Sequence, residues 1–202
     1  VLHTDATTAE TTDADTLTSF DSDGFALGAD VKVNTDTEKY VAWCWKESAT
    51  AGFDIDSYTG TGSARTEAHS LSAVPHFIIV KKRSGSDGWQ TYHHKNTAAP
   101  ETDFLNLQST EGTRDSNTRW NDTAPTSSVF SVGDDSGVNA DGSTYIAYVF
   151  SEKQGFSKFS SFLGNGNADG AFVYTGFRPA WLMVKKSSAD GTNWLIWDTK
   201  RE

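Results

Sequence analysis

Cysteine is nearly absent. Cys44 stands alone among 202 residues, so neither an intrachain disulfide nor a cysteine metal cluster can form, and stability has to come from burial. Proline occurs four times and methionine once. Basic residues are also scarce, with 17 Lys and Arg against 27 Asp and Glu, for a formal charge of -10. Binding to a nucleic-acid backbone depends on Lys and Arg that neutralise phosphates, so nucleic acid is not an expected partner. No apolar run approaches the roughly 20 residues that cross a bilayer, so membrane insertion is not expected either. Val1 opens a polar, Thr-rich stretch that lacks a basic n-region and an apolar h-region, and the chain reads as a piece of something longer.

What is present is glycine, 17 residues of it, and 12% aromatics separated by Thr, Ser and Asp, a mixture that suits short strands and tight turns. Compared with itself, the chain matches at a spacing of about 105 positions. Phe25, Gly28, Asp30, Asn34, Asp36, Tyr40, Ala42 and Glu47 return as Phe130, Gly133, Asp135, Asn139, Asp141, Tyr145, Ala147 and Glu152. GFDIDSYTGTGSA from Gly52 pairs with GFSKFSSFLGNGNA from Gly155, and VPHFIIVKKRS with RPAWLMVKKSS, which sets Lys81 on Lys185. Trp89 then falls on Trp194. The segment between the copies, Ala98 to Leu105, contains Pro100 and is the expected joint. The fold class is all-β, read as two tandem β-sandwich-like units of the same topology over residues 1–100 and 101–202. The alternative is one large sandwich in which strands of both copies interleave.

Substitutions between the copies show what each position keeps. In YVAWCW and YIAYVF one face is Tyr40, Ala42, Cys44 against Tyr145, Ala147, Val149, and the other is Val41, Trp43, Trp45 against Ile146, Tyr148, Phe150. A strand that is apolar on both faces lies between two layers. HFIIV and AWLMV behave alike, each following a proline, and pair through Asp-Gly turns with WQTYH and WLIWD as hairpins. Trp43, Trp45 and Trp89 are expected in the core, where each would bury about 150 to 250 Å².

Candidate functional residues are few. His93-His94 is the one histidine cluster in sequence, and no histidine occurs in both copies; without a paired Cys or a spaced His it does not make a metal site. The recurring acids suggest a carboxylate pair of the glycosidase kind, but Asp36 and Asp141 lie in VNTDTE and VNADGS, where Asx side chains cap turns. In GNGNADG, Asn165, Asn167 and Asp169 resemble the start of a calcium loop, although the other copy reads GTGSART with no closing Glu. Trp120, in the polar stretch NTRWNDTAPTSS, is a candidate for stacking on a sugar ring. These four residues are the candidate ligand-binding set; no catalytic residue is expected and no cofactor, with Ca2+ at the GNGNADG loop as the alternative.

Several longer signatures carry a family likeness: SFDSDGFALGADVKVNTDTEKYVAWCWKE from Ser19, LSAVPHFIIVKKRSGSDGW from Leu71, WNDTAPTSSVFSVG from Trp120, and GFSKFSSFLGNGNADGAFVYTGFRP from Gly155. In their order they resemble a repeat domain of unknown function found in tail-fibre and other virion surface proteins of tailed phages, many of them marine. The resemblance implies a non-enzymatic structural or adhesive module on a virion appendage, outside the cell. It further implies a homo-oligomer, trimer or array, that contacts other virion proteins and presents loops toward a host-surface glycan. A carbohydrate-binding module, or a glycan depolymerase, is the alternative class. Asn fits the turns assigned to Asp30, Asp36, Asp135 and Asp141 as well as Asp does, so each Asp→Asn variant should keep full binding activity. A large loss of hydrolytic activity in one of them, with the fold retained, would show a catalytic carboxylate.

Overall fold

The computed structural model describes residues 1–200. In chain order it runs through β1 (Leu17–Phe20), β2 (Phe25–Leu27), the one-turn helix α1 (Val31–Asn34), β3 (Phe53–Thr59), β4 (Arg65–Ala68), β5 (Phe77–Lys82), β6 (Trp89–His93), a 3-10 turn (Pro100–Thr102), β7 (Asp103–Asn106), β8 (Arg114–Asp115), β9 (Val129–Val132), the one-turn helix α2 (Ser136–Asn139), β10 (Thr144–Phe150), β11 (Trp181–Val184) and β12 (Leu195–Asp198). The fold is all-β and sandwich-like.

Its main layer is a six-stranded antiparallel sheet in the order β3-β10-β5-β6-β7-β8. The second layer is the β4–β9 pair together with α2. Tyr145, Ala147 and Val149 of β10 are fully buried and meet Phe130, Val132 and Val138 of the second layer, with Tyr58 stacked on Tyr145 at 5.1 Å. The small face thus packs into the core. The bulky face of Ile146, Tyr148 and Phe150 looks the other way.

β10 comes from the second half of the chain and lies between two strands of the first half, Phe150 opposite both Phe53 and Phe77. In this sheet strands from the two halves of the chain interleave. The joint expected at 98–105 is therefore no boundary: Asp103–Asn106 is strand β7, Phe104 and Leu105 are buried, and Leu105 pairs with Thr91. The reason lies in the two bulky residues of that segment, which a solvent-exposed linker would leave in water.

The recurring polar residues build the corner before β10. Asp135 caps α2 by accepting from the Gly137 amide at 2.6 Å, Asn139 donates to the Gly133 carbonyl at 2.7 Å, and the Tyr145 hydroxyl donates to Ser136 O at 2.7 Å. Gly133 has to be glycine, because a Cβ there would run into the Thr118 carbonyl. The same contacts recur before residue 40: Asp30 accepts from Lys32 N at 2.7 Å, Asn34 donates to Gly28 O at 2.8 Å, and Tyr40 donates to Val31 O at 3.0 Å. Capping falls to Asp30 and Asp135, and not to Asp36 and Asp141 as the turn pattern suggests, because only the former precede a helical turn whose amides are free.

YVAWCW departs from the expected strand. Among the described residues no ladder includes 40–45, and Trp43 and Trp45 are each 42% exposed, whereas Trp89 is buried as expected. The matching segment, β10, is flanked on both edges; residues 40–45 have no strand on either side among the described residues. Both HFIIV/WQTYH and AWLMV/WLIWD form the hairpins read from sequence, β5–β6 and β11–β12.

Lys81 is fully buried, its ammonium donating to three carbonyls, Thr7 at 3.2 Å, Lys82 at 2.9 Å and Asp87 at 3.1 Å. Burial pushes its pKa down, while Asp87 pulls it back up. Lys185 repeats the arrangement, donating to Ser109 O at 3.2 Å and to Thr192 O. Each lysine ties the start of its own copy to a hairpin turn. Lys81→Met leaves three buried carbonyls without that donor and should lower the unfolding free energy by about 2 to 3 kcal/mol, the scale of a buried hydrogen bond to a charged group. Equilibrium urea denaturation checks this, and an unchanged midpoint would mean the cage is not stabilising.

Candidate functional site

The residues singled out in the sequence do not converge. Trp120 is 2% exposed; its indole N–H donates to Asp103 O at 3.0 Å and its ring meets Tyr92 edge-on at 6.0 Å. No ring face is left for a sugar to stack on. The hydrophobic reason is simple: Trp120 covers the end of the core cluster under β7. Asn165, Asn167 and Asp169 are exposed in a loop that bonds to itself, Asn165 donating to Asp169 O at 2.9 Å and accepting from Asn167 N at 3.0 Å. Neither of these loop bonds reaches Trp120, which lies 45 to 49 positions earlier in the chain.

Two other features stand out. The first is an apolar cavity of about 1190 Å³ between the bulky face of the main sheet and the β11–β12 hairpin. Phe77, Tyr148 and Phe150 line the sheet side, and Trp43, Trp45 and Trp181 line the opposite side. Its charged lining residues are Asp5, Glu10 and Lys158, of which Glu10 is bound by Arg83 at 2.7 Å and Lys158 by Glu152 at 2.9 Å. The volume is of the size that takes a small ligand with an apolar face.

The second is a corner where His76, His94 and Glu152 each place one donor atom within 4.8 Å of the others. His76 precedes β5, His94 follows β6, and the backbone bond from His94 N to His76 O at 2.9 Å holds them side by side. Glu152 follows β10, and its amide donates to His76 Nδ1 at 3.1 Å. The spacing would suit a divalent cation, but the donors are already engaged: His94 Nε2 meets Phe159 O at 2.8 Å, and the Glu152 carboxylate takes Lys158 and the Phe159 amide, both at 2.9 Å. Burial pushes the Glu152 carboxyl up, and these two donors outweigh it, so it sits below the usual carboxylate range. Burial and the neighbouring His94 push His76 down, and burial drives His93 down to about 4. His93 Nδ1 also accepts from Lys95 N at 3.1 Å, which favours a neutral ring.

Sequence inspection passed over this corner because its members lie up to 76 positions apart, as the Glu152–His76 bond shows. The signal was in the hairpin: pairing HFIIV with WQTYH brings the residue before one strand against the residue after the other.

Fold and site together define a sandwich-like all-β protein with an aromatic cavity and a histidine–glutamate corner. Over residues 1–202 the chain matches the family described as Domain of unknown function (DUF7483), and it belongs to that family. No curated protein and no solved structure matches it.

The histidines give a pH dependence of definite sign. His76 and His93 resist protonation when folded, while in the unfolded chain they take up protons near 6.5. Stability is then fully present above about pH 6.5 and falls as the pH drops toward 4. His93 alone accounts for up to about 3 kcal/mol of that fall, from the difference between 6.5 and about 4. His93→Gln should flatten the loss between pH 7 and 4.5 in urea denaturation; an equally steep profile in the variant would show that His93 is not held neutral.

Proposed function

We propose that this chain is a non-enzymatic structural or adhesive module of a phage virion, part of a tail fibre or comparable surface appendage, working without a cofactor. The observation that carries the reading is the use of the residues that recur in both halves. Gly28 and Gly133, Asp30 and Asp135, Asn34 and Asn139, Tyr40 and Tyr145 are all spent on the same corner, by the same hydrogen bonds. A repeat that keeps its polar residues for shape suits a module whose task is to space and present. The ordered motifs from Ser19 to Pro179 that resemble virion surface repeats support the same assignment.

Its proposed partners are further copies of itself and neighbouring virion proteins. Support comes from the apolar surface, with Phe20 83% and Val31 73% exposed, and from the outer edge of β3, which among the described residues pairs only with β10. The second reading, a module that binds a host-surface glycan, draws on one observation, the indole-lined cavity. Light scattering on the full-length protein across a dilution series tests the first reading. A trimeric or larger mass is expected, and a monodisperse monomer would reject self-assembly. A glycan-array screen of the same sample addresses the second, where a signal abolished by Trp43→Ala would place the glycan at the cavity.

A further inference from the structure

The two ends of the chain hold the parts of a second unit left open. In the closed unit, β10 is bonded to β3 and to β5. Its counterpart in the sequence is 39–45, the counterpart of β3 is 156–163, and that of β5 begins at β11. Among the described residues, no backbone hydrogen bond joins 39–47, or 158–174, to any other backbone group. Leu163 is 91% and Phe172 90% exposed. Unpaired backbone beside exposed apolar side chains is the condition under which a strand adds to an edge.

We propose that residues 155–174 close onto residues 24–45 of the same chain, with Lys39–Trp45 forming a strand between 156–163 and β11, so that the two ends complete a second unit equivalent to residues 53–150. Three observations carry this.

The first is that one contact of the closed state already exists. Phe150 meets Phe77 at 5.7 Å between ring centroids, and the counterparts Trp45 and Trp181 meet at 6.0 Å. Trp43 also lies against Trp181, at 5.7 Å. Because these rings belong to one chain, the occupant of the gap is the chain's own segment and not a second copy.

The second is the state of the corner that would receive the loop. Tyr40 and Asn34 already make the bonds that Tyr145 and Asn139 make.

The third is a glycine that has no present reason to be glycine. In the closed unit the loop Gly60–Ser63 docks on Asn139: Thr61 N donates to its side chain at 2.9 Å, Gly62 N to its carbonyl at 2.8 Å, and Asn139 Nδ2 donates to Ser63 O at 2.7 Å. Gly60 sits so close to Ala140 O that a Cβ has no room. Its counterpart Gly164 has nothing within 4 Å of where a Cβ would be. Closure supplies the missing reason, since it sets the 164–167 loop on Asn34 as 60–63 is set on Asn139.

Closure also buries Cys44, the counterpart of the fully buried Val149, opposite Ser157, the counterpart of Asp54. The intact protein therefore carries its own probe. At neutral pH the Cys44 peptide, followed by mass spectrometry, should be alkylated on the order of 100-fold more slowly than in denaturant, as for groups reached only by local opening. Gly164→Val should lower the melting temperature by several degrees, as is expected of Gly60→Val, where a Cβ would meet Ala140 O. Ser157→Cys, oxidised mildly at low micromolar concentration, should give a disulfide to Cys44 within one chain; if that variant does not fold, Leu182→Cys on the other flank replaces it. Full reactivity of Cys44 together with a neutral Gly164→Val would overturn closure, and a disulfide found only between chains would overturn the same-chain assignment in favour of exchange between copies.

Discussion

Everything in the main sheet depends on β10 having both edges bonded. It pairs along its full length with β3 on one side and along Tyr145 to Phe150 with β5 on the other. Without it, β3 has no neighbour in this sheet among the described residues and β5 loses one of its two. The second layer depends on it too, because Tyr145, Ala147 and Val149 form the floor on which β4, β9 and α2 rest. Small side chains on that face are what let the layers approach. Large ones on the reverse face are what make the opposite surface a wall of the aromatic cavity.

How much of this was legible in the sequence depends on the range of the interaction concerned. Local patterns read well: the alternation of TYIAYVF, the two Pro-led hairpins with Asp-Gly turns, and the recurrence of Gly, Asp, Asn and Tyr before β10 all appear as expected. The identity of the β10 neighbours did not, since Phe150 meets Phe53 and Phe77 across 97 and 73 positions of the chain and nothing local encodes that partnership. The same limit explains YVAWCW, whose pattern is that of a strand and whose neighbours are lacking. Pattern states what a segment can bury; it takes a partner to bury it.

For the candidate site the outcome was different. Trp120 was legible as an unmatched aromatic in a polar stretch, but composition around a residue in sequence says little of what surrounds it in space; its ring lies beneath β7 with Tyr92. His76, His94 and Glu152 were visible only as scattered residues, and their assembly follows from the strand order β10-β5-β6, which sets the three strand ends side by side. A cluster of this sort inherits its geometry from topology, so it becomes readable only after the sheet is known.

Two similar strands and two similar slots in one chain raise the question of what keeps them apart. Loop closure does little, because its entropy changes only slowly with length. Side-chain size does more. Phe150 packs between Phe53 at 4.7 Å and Phe77 at 5.7 Å, and an indole in that position would overfill the slot, a change that costs about 1 to 3 kcal/mol in a packed interior. Trp45 instead lies beside Trp181, where the counterpart of Phe77 is itself an indole. The local connection on the partner side adds to this, since Lys81 and Lys185 each fasten a hairpin turn to a separate stretch of backbone, Thr7 in one case and Ser109 in the other. The two halves thus differ where identity would let one strand occupy the other's place, and are alike in the corner residues that make the same bonds in each.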